Sequence, residues 1–219
     1  QRAGEEAEGT GGTAEGTAHD SAGLRPVLRY GAVGAVVVFL ISGAMFGAND
    51  VAAVAFATEA GHKSASGLVL AVWGVGSFIA ALLYGSRAWG WPLWKQFMVG
   101  LVGLAVGAST FSLAPNLVVL SVLALLTGLA IAPTLTSGNN IIQVTVAPSQ
   151  LTEGLAWVST ALNVGVSIGS LLAGQAADAG GSQAGYLAVA GFGWATVLAG
   201  VVGLRALKQA RTTRPLAAD

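Results

Sequence analysis

The chain has 219 residues, 54% hydrophobic and 9% charged, with a formal net charge of zero and no Cys. Soluble domains carry about 25% charged residues, so this chain has too little polar surface to face water all round and reads as a membrane protein. Neutrality argues against a nucleic-acid partner, and the lack of Cys removes disulfides, thiol chemistry and soft metal sites; no metal or cofactor is expected.

The first residue is Gln1 and no basic, apolar leader follows it, so the natural start is expected upstream. Residues 1–26 are dominated by Gly, Ala, Glu and Thr without apolar periodicity, the composition of a disordered linker. The membrane domain is expected over 27–209, with a short tail over 210–219. Six apolar spans meet the twenty-residue criterion, at roughly 28–58, 66–86, 94–113, 117–147, 151–177 and 185–207. The loops between them are short, which makes successive helices antiparallel neighbours. The fold class is therefore all-α, a polytopic membrane bundle of six transmembrane helices.

The charge pattern sets an orientation. Six spans place both ends on one side, together with Arg87 and Lys95 of the second-to-third loop. Of the ten Lys and Arg residues only Lys63 lies on the other side, with Glu59, His62 and Asp178. Cations collect on the cytoplasmic face, so the linker and tail are expected to be cytoplasmic.

The first span holds one acid, Asp50, beside Asn49. An acid within a span faces protein or a water-filled cavity. Asp50 has two readings, a proton-coupling or cation-recognising group, or a structural residue held against a neighbouring helix near Gly43 and Gly47.

Polarity is unevenly shared among the other spans. The second carries Trp73 and Ser77. The fourth carries Thr136, Asn139, Asn140 and Gln143 on or near one face. In the fifth, Thr160, Asn163, Ser167 and Ser170 recur at helical spacing, with Gly165 and Gly169 opposite them as a GxxxG pair. The third has Ser109 and Thr110 near its outer end, and the sixth has Thr196. Lipid solvates no polar group, so the polar helices line a cavity or a helix contact; the third and sixth are expected to face lipid. Trp73 and Trp157 line the cavity or simply pack. Pro133, deep in the fourth span, is expected to bend it, for gating or as a tolerated kink.

The run APSQLTEGLAWVSTALNVGVSIGSLLAGQAAD resembles the eleventh helix of major facilitator superfamily transporters, through Pro148, Glu153-Gly154, Gly165, Gly169, Gly174 and Asp178. The run LLTGLAIAPTLTSGNNIIQ is similar to the tenth helix and the GAND of the first span to the seventh. The opening resembles the family's central cytoplasmic linker. The likeness covers nearly the whole chain as the C-terminal six-helix half, nearest to bacterial efflux-type members, and implies a multi-pass protein of the bacterial inner (plasma) membrane. It also implies that the seventh, eighth, tenth and eleventh helices face the cavity or its flanks. The family's loop signature has its pseudo-repeat at GSRAWGWPLWK: Gly85, Arg87 and Lys95 match in character, and no acid is present. Internal symmetry as three-helix repeats is expected of this family, yet no residue-level repeat stands out here.

Rival classes lack their residues. An intramembrane serine protease needs a His within a span, an aquaporin needs paired Asn-Pro-Ala loops, and an ATP-driven exporter needs long cytoplasmic helices. No enzyme activity is expected. The expected function is proton-coupled efflux of a small organic solute by alternating access, with lipid, solute, and a missing N-terminal half or a second copy as partners. The alternative is a membrane scaffold that transports nothing.

Overall fold

The computed structural model describes residues 15–87 and 89–212, with side chains over 33–87 and 89–204. Its helices are α1 Glu15–Glu59, α2 Ser66–Gly85, α3 Leu93–Phe111, α4 Leu117–Gly128, α5 Ile131–Thr145 and α6 Leu151–Thr212, with 3-10 turns at Lys63–Ala65 and Pro148–Gln150. Among the described residues four stretches are long and apolar enough to cross a membrane, Val33–Glu59, Lys63–Gly85, Leu117–Thr145 and Pro148–Leu204.

Helix α1 starts at Glu15, within the stretch expected as a disordered linker. The reason is that Ala, Glu, Leu and Arg favour helix; a composition that cannot build a core can still wind a backbone. The remainder of that expected linker, residues 1–14, and the end of the expected tail, residues 213–219, lie outside the described residues.

The fourth span, Leu117–Thr145, is interrupted near its proline by a two-residue turn between α4 and α5. The chain leaves helix at Leu129–Ala130 and re-enters at Ile131. Pro133 explains the position, since a proline ring clashes with the carbonyl four residues back, here Leu129. Pro133 itself falls in the first turn of α5, where a missing N–H costs little because that N–H has no helical acceptor. The Ser137 hydroxyl donates to the Pro133 carbonyl at 2.6 Å.

Helix α6 is a hairpin. Gly180 (φ −142°, ψ 20°) and Gly181 (φ 73°, ψ −175°) break it into two arms, 151–179 and 182–212. Gly181 sits in a region open essentially to Gly alone. On one side of the break, Gly43 meets Leu162 and Gly47 meets Val166, so the first arm runs parallel to α1. On the other, Ser182 meets Glu59, Gly185 meets Ala52 and Gly203 meets Gly34, so the second arm runs back along it.

Close glycine contacts fix the directions of the remaining helices too. Gly100, Gly103 and Gly107 meet Thr134, Ala130 and Thr127, so α3 is antiparallel to α4 and α5. Gly200 and Gly193 meet Leu101 and Ala105, so α3 is also antiparallel to the second arm. Turns gather at two ends. The basic end carries Arg87 and Lys95; the acidic end carries Glu59, Asp178 and the Gly180–Gly181 tip.

Met45, Ala48, Ala52, Leu104, Phe111, Leu120, Tyr186 and Val189 form the main core between these helices. Phe111 and Phe56 set their edges to the Tyr186 ring at 5.5 and 6.2 Å.

Candidate functional site

At the seam between α1 and the first arm of α6 the two backbones approach closely. A Cβ at Gly43 or Gly47 would lie 2.0 Å from the carbonyl oxygen of Leu162 or Val166. From the other side, a Cβ at Gly165 or Gly169 would lie 1.9 Å from that of Leu40 or Ala44. Four glycines thus interlock the two backbones, the small-residue packing that apolar solvent favours. The Ser170 hydroxyl crosses the seam to the Gly47 carbonyl at 3.1 Å. Ser170 therefore leaves the open stripe with which its spacing groups it.

The remaining polar residues of the first arm lie away from the seam. Thr160, Asn163, Ser167 and Trp157 are exposed. Each amide or hydroxyl that donates does so within its own helix: Asn163 Nδ2 to the Ser159 carbonyl at 2.8 Å and Ser167 Oγ to the Asn163 carbonyl at 3.2 Å. Trp157 Nε1 lies 3.4 Å from Glu153 Oε1. Such back-bonding satisfies donors on an isolated helix and leaves the Asn163 side-chain oxygen facing outward.

In α1 the two adjacent candidates part. Asn49 is 5% exposed, and Asp50 is exposed. Asp50 continues a strip with Phe46 and Val54 that lies between the glycine seam and the edge-on contact of Phe46 with Trp73, ring centroids 5.5 Å apart. No ion pair forms among the described residues, so Asp50 has no cation against it there. Trp73 is half-buried, and its Nε1 is shut off from solvent with no acceptor among the described residues. Ser77, one turn on, is half-buried.

In α5 the face splits too. Thr136 and Gln143 are exposed and Asn139 and Asn140 are half-buried, whereas Thr134 and Ser137 are buried in the packing against α3 and α1. Gly138 abuts Phe39 and α5 runs antiparallel to α1, which places Asn139 and Asn140 beside Phe39 on its basic-end side. The Gly43–Leu162 contact places Asn163 near residue 44, more than a turn closer to the acidic end. Asp50 and Ser167 sit nearer the acidic end still, and Gln143 and Trp157 toward the basic end. The candidates are therefore spread along the bundle rather than gathered in one cluster.

The outward faces of α3 and the second arm differ in kind. In their middle turns α3 exposes Val99, Val102 and Val106, and the second arm exposes Leu187, Trp194, Leu198 and Val202. Trp194 Nε1 donates to the Ser109 hydroxyl at 3.1 Å, so its one polar atom is engaged.

Three polar arrangements carry no signal in the sequence pattern. Glu59 accepts from the Ser182 backbone N–H at 2.6 Å and from the Ser182 hydroxyl, which joins α1 to the tip of the α6 hairpin. Gln96, at the start of α3, is buried, accepts from the Tyr84 hydroxyl and donates to the Trp91 carbonyl at 2.5 Å. Tyr186 is buried with its hydroxyl unpartnered among the described residues. No group of His, Asp and Glu among the described residues could hold a metal ion.

Comparison with known proteins follows the same lines. Residues 31–218 match the family model for the Major Facilitator Superfamily. A protein of Metarhizium rileyi (strain RCEF 4871), named MFS-type transporter ppzB, is 32% identical over 113 residues, which are 49% of this chain and 23% of that protein. The chain thus covers less than a quarter of that relative's length. No solved structure matches the chain.

Proposed function

Because the chain belongs to the Major Facilitator Superfamily, a family of multi-pass membrane transporters rather than enzymes, we propose that it is the C-terminal six-helix half of a secondary transporter. Six crossings follow if the Pro148–Leu204 stretch counts as two, folded at Gly180–Gly181, and if α3, clasped between α5 and the second arm, crosses with its neighbours. The proposed location is the bacterial plasma membrane, supported by the efflux-type resemblance of residues 148–178. The basic end would be cytoplasmic, supported by Arg87 and Lys95 there and by the cations flanking the bundle in sequence.

The observation that carries the reading is a division of the exposed surface. On α1, α5 and the first arm, polar side chains stand out among the exposed aliphatic ones, at Asp50, Thr136, Gln143, Thr160, Asn163 and Ser167, while the middle turns of α3 and the second arm turn out Val99, Val102, Val106, Leu187, Trp194, Leu198 and Val202. Polar groups on a lipid-facing surface are costly. The polar side is therefore the wall of a solute path that a second six-helix body closes, the missing N-terminal half or another copy. Two such bodies rocking about a site near mid-membrane give alternating access.

Asp50 would carry the proton that couples efflux of a small organic solute, and the amides of Asn139, Asn140 and Asn163 would recognise its polar groups. Trp73, half-buried beside Phe46, would offer the solute an aromatic wall.

The test is transport by the full-length protein in vesicles with an imposed proton gradient. Asp50→Asn should abolish gradient-driven efflux and leave solute binding within about threefold, since the amide keeps the shape of the protonated acid and, like it, both donates and accepts. Unaltered coupling in Asp50→Asn would end the proton-carrier role. Absence of any solute flux in the intact protein would favour the scaffold.

A further inference from the structure

At the basic end, the loop between α2 and α3 is a built structure. Trp89 stacks on Tyr84 at 5.5 Å and donates through Nε1 to the Tyr84 carbonyl at 3.1 Å. The Tyr84 hydroxyl donates to buried Gln96, which in turn fixes the Trp91 carbonyl. Trp91 packs edge-on to Trp89 at 6.5 Å. Beside this frame is a cleft of about 470 Å³ lined by Trp91, Trp94, Lys95, Met98 and Val99. The Lys95 ammonium lies 5.5 Å from the Trp94 ring centre, and the Arg87 guanidinium carbon 6.0 Å from that of Trp89.

Among the described residues neither cation has a carboxylate paired with it. No Asp or Glu occurs in the sequence between Glu59 and Glu153, and no ion pair forms among the described residues. Tryptophan rings gather where a membrane meets water, so this loop marks the bilayer boundary. From the cleft, Met98 and Val99 lead along α3 to exposed Val102 and Val106. Cations at the boundary, aromatic walls and an aliphatic track below them match one kind of molecule.

We propose that this cleft binds an anionic phospholipid. Its phosphodiester lies against Lys95 and within reach of Arg87, its glycerol region between Trp91 and Trp94, and one acyl chain along Val99, Val102 and Val106. The hydrogen-bonded frame through Gln96 holds the tryptophans before the lipid arrives, so little ordering accompanies binding. The proposal rests on membrane insertion alone and is independent of whether the bundle transports a solute.

The experiment is native mass spectrometry of the detergent-solubilised protein titrated with phosphatidylglycerol and phosphatidylcholine of identical acyl chains. Phosphatidylglycerol should bind several-fold more tightly. Each cation near the headgroup is worth about fivefold in affinity, so Lys95→Gln should weaken phosphatidylglycerol binding about fivefold and leave phosphatidylcholine unchanged. Lys95→Arg should retain the preference and show that the fold survives substitution there. Lys63→Gln, at the opposite end, should change nothing. Glycerol 3-phosphate in excess should not displace the lipid. Equal binding of the two lipids, an equal loss in Lys63→Gln, or displacement by glycerol 3-phosphate would each overturn the site.

Discussion

Adding a single methyl group at Gly169 tests the helix seam. A Cβ there would sit 1.9 Å from the Ala44 carbonyl oxygen and 2.5 Å from its carbon. Both obstacles are backbone, so no rotamer change relieves them, and the seam must open by at least about 1 Å over several turns. Opening it loses the close contacts of Gly165, Gly43 and Gly47 together. Overpacking of this kind costs about 1–3 kcal/mol, and a rigid two-sided seam belongs at the upper end. Ala is itself the better helix former by about 1 kcal/mol, which offsets part of that. Gly191→Ala supplies the reference, because a Cβ there meets nothing within 4 Å. The difference between the two variants removes the propensity term and reads the seam alone. The assay is reversible SDS unfolding of the purified protein, followed by tryptophan fluorescence. Gly169→Ala should be less stable than Gly191→Ala by about 2–3 kcal/mol, roughly a 30- to 160-fold change in the unfolding equilibrium. Equal stability of the two variants would refute the interlocked seam.

Gly181→Ala forces a side chain into a positive-φ conformation with its Cβ 2.8 Å from Glu59 Oε1, and should cost about 1–3 kcal/mol in the same unfolding assay. Glu59→Gln weakens the carboxylate's hold on Ser182, so hydrogen exchange at the Ser182 amide should quicken about tenfold while exchange in α3 stays constant. Pro133→Ala removes the clash with the Leu129 carbonyl and supplies an N–H, so the amides around Leu129–Ile131 should gain exchange protection as α4 and α5 join.

Much of the architecture was legible because the signals were local. Long apolar runs located the helices, and the short glycine-rich stretch at 178–185 located the α6 turn. The GxxxG pair Gly165–Gly169 announced a close helix contact, and the seam uses it. The helix at Glu15 was not legible, since the composition there speaks of burial and not of backbone winding. The break at Leu129 was readable only through the carbonyl four residues before Pro133, not at the proline itself. Pairings that join distant segments left no trace in the pattern. Glu59 and Ser182 are 123 residues apart, and Gln96 looks like an ordinary first-turn residue until Tyr84 and Trp91 close over it. Periodicity grouped Ser170 with Asn163 and Ser167 because it cannot register which edge of a stripe meets the next helix.

The chain contains no Cys, so single thiols report their surroundings without background. Cysteines at Asn163, Thr136 and Gln143, and for contrast at Val102 and Leu198, can be treated in membranes with a water-soluble maleimide. The division between a water-lined wall and a lipid-facing side predicts rapid labelling at the first three positions and none at the last two. Labelling of Leu198→Cys as fast as Asn163→Cys, or silence at all three polar positions in every state of the transport cycle, would contradict it.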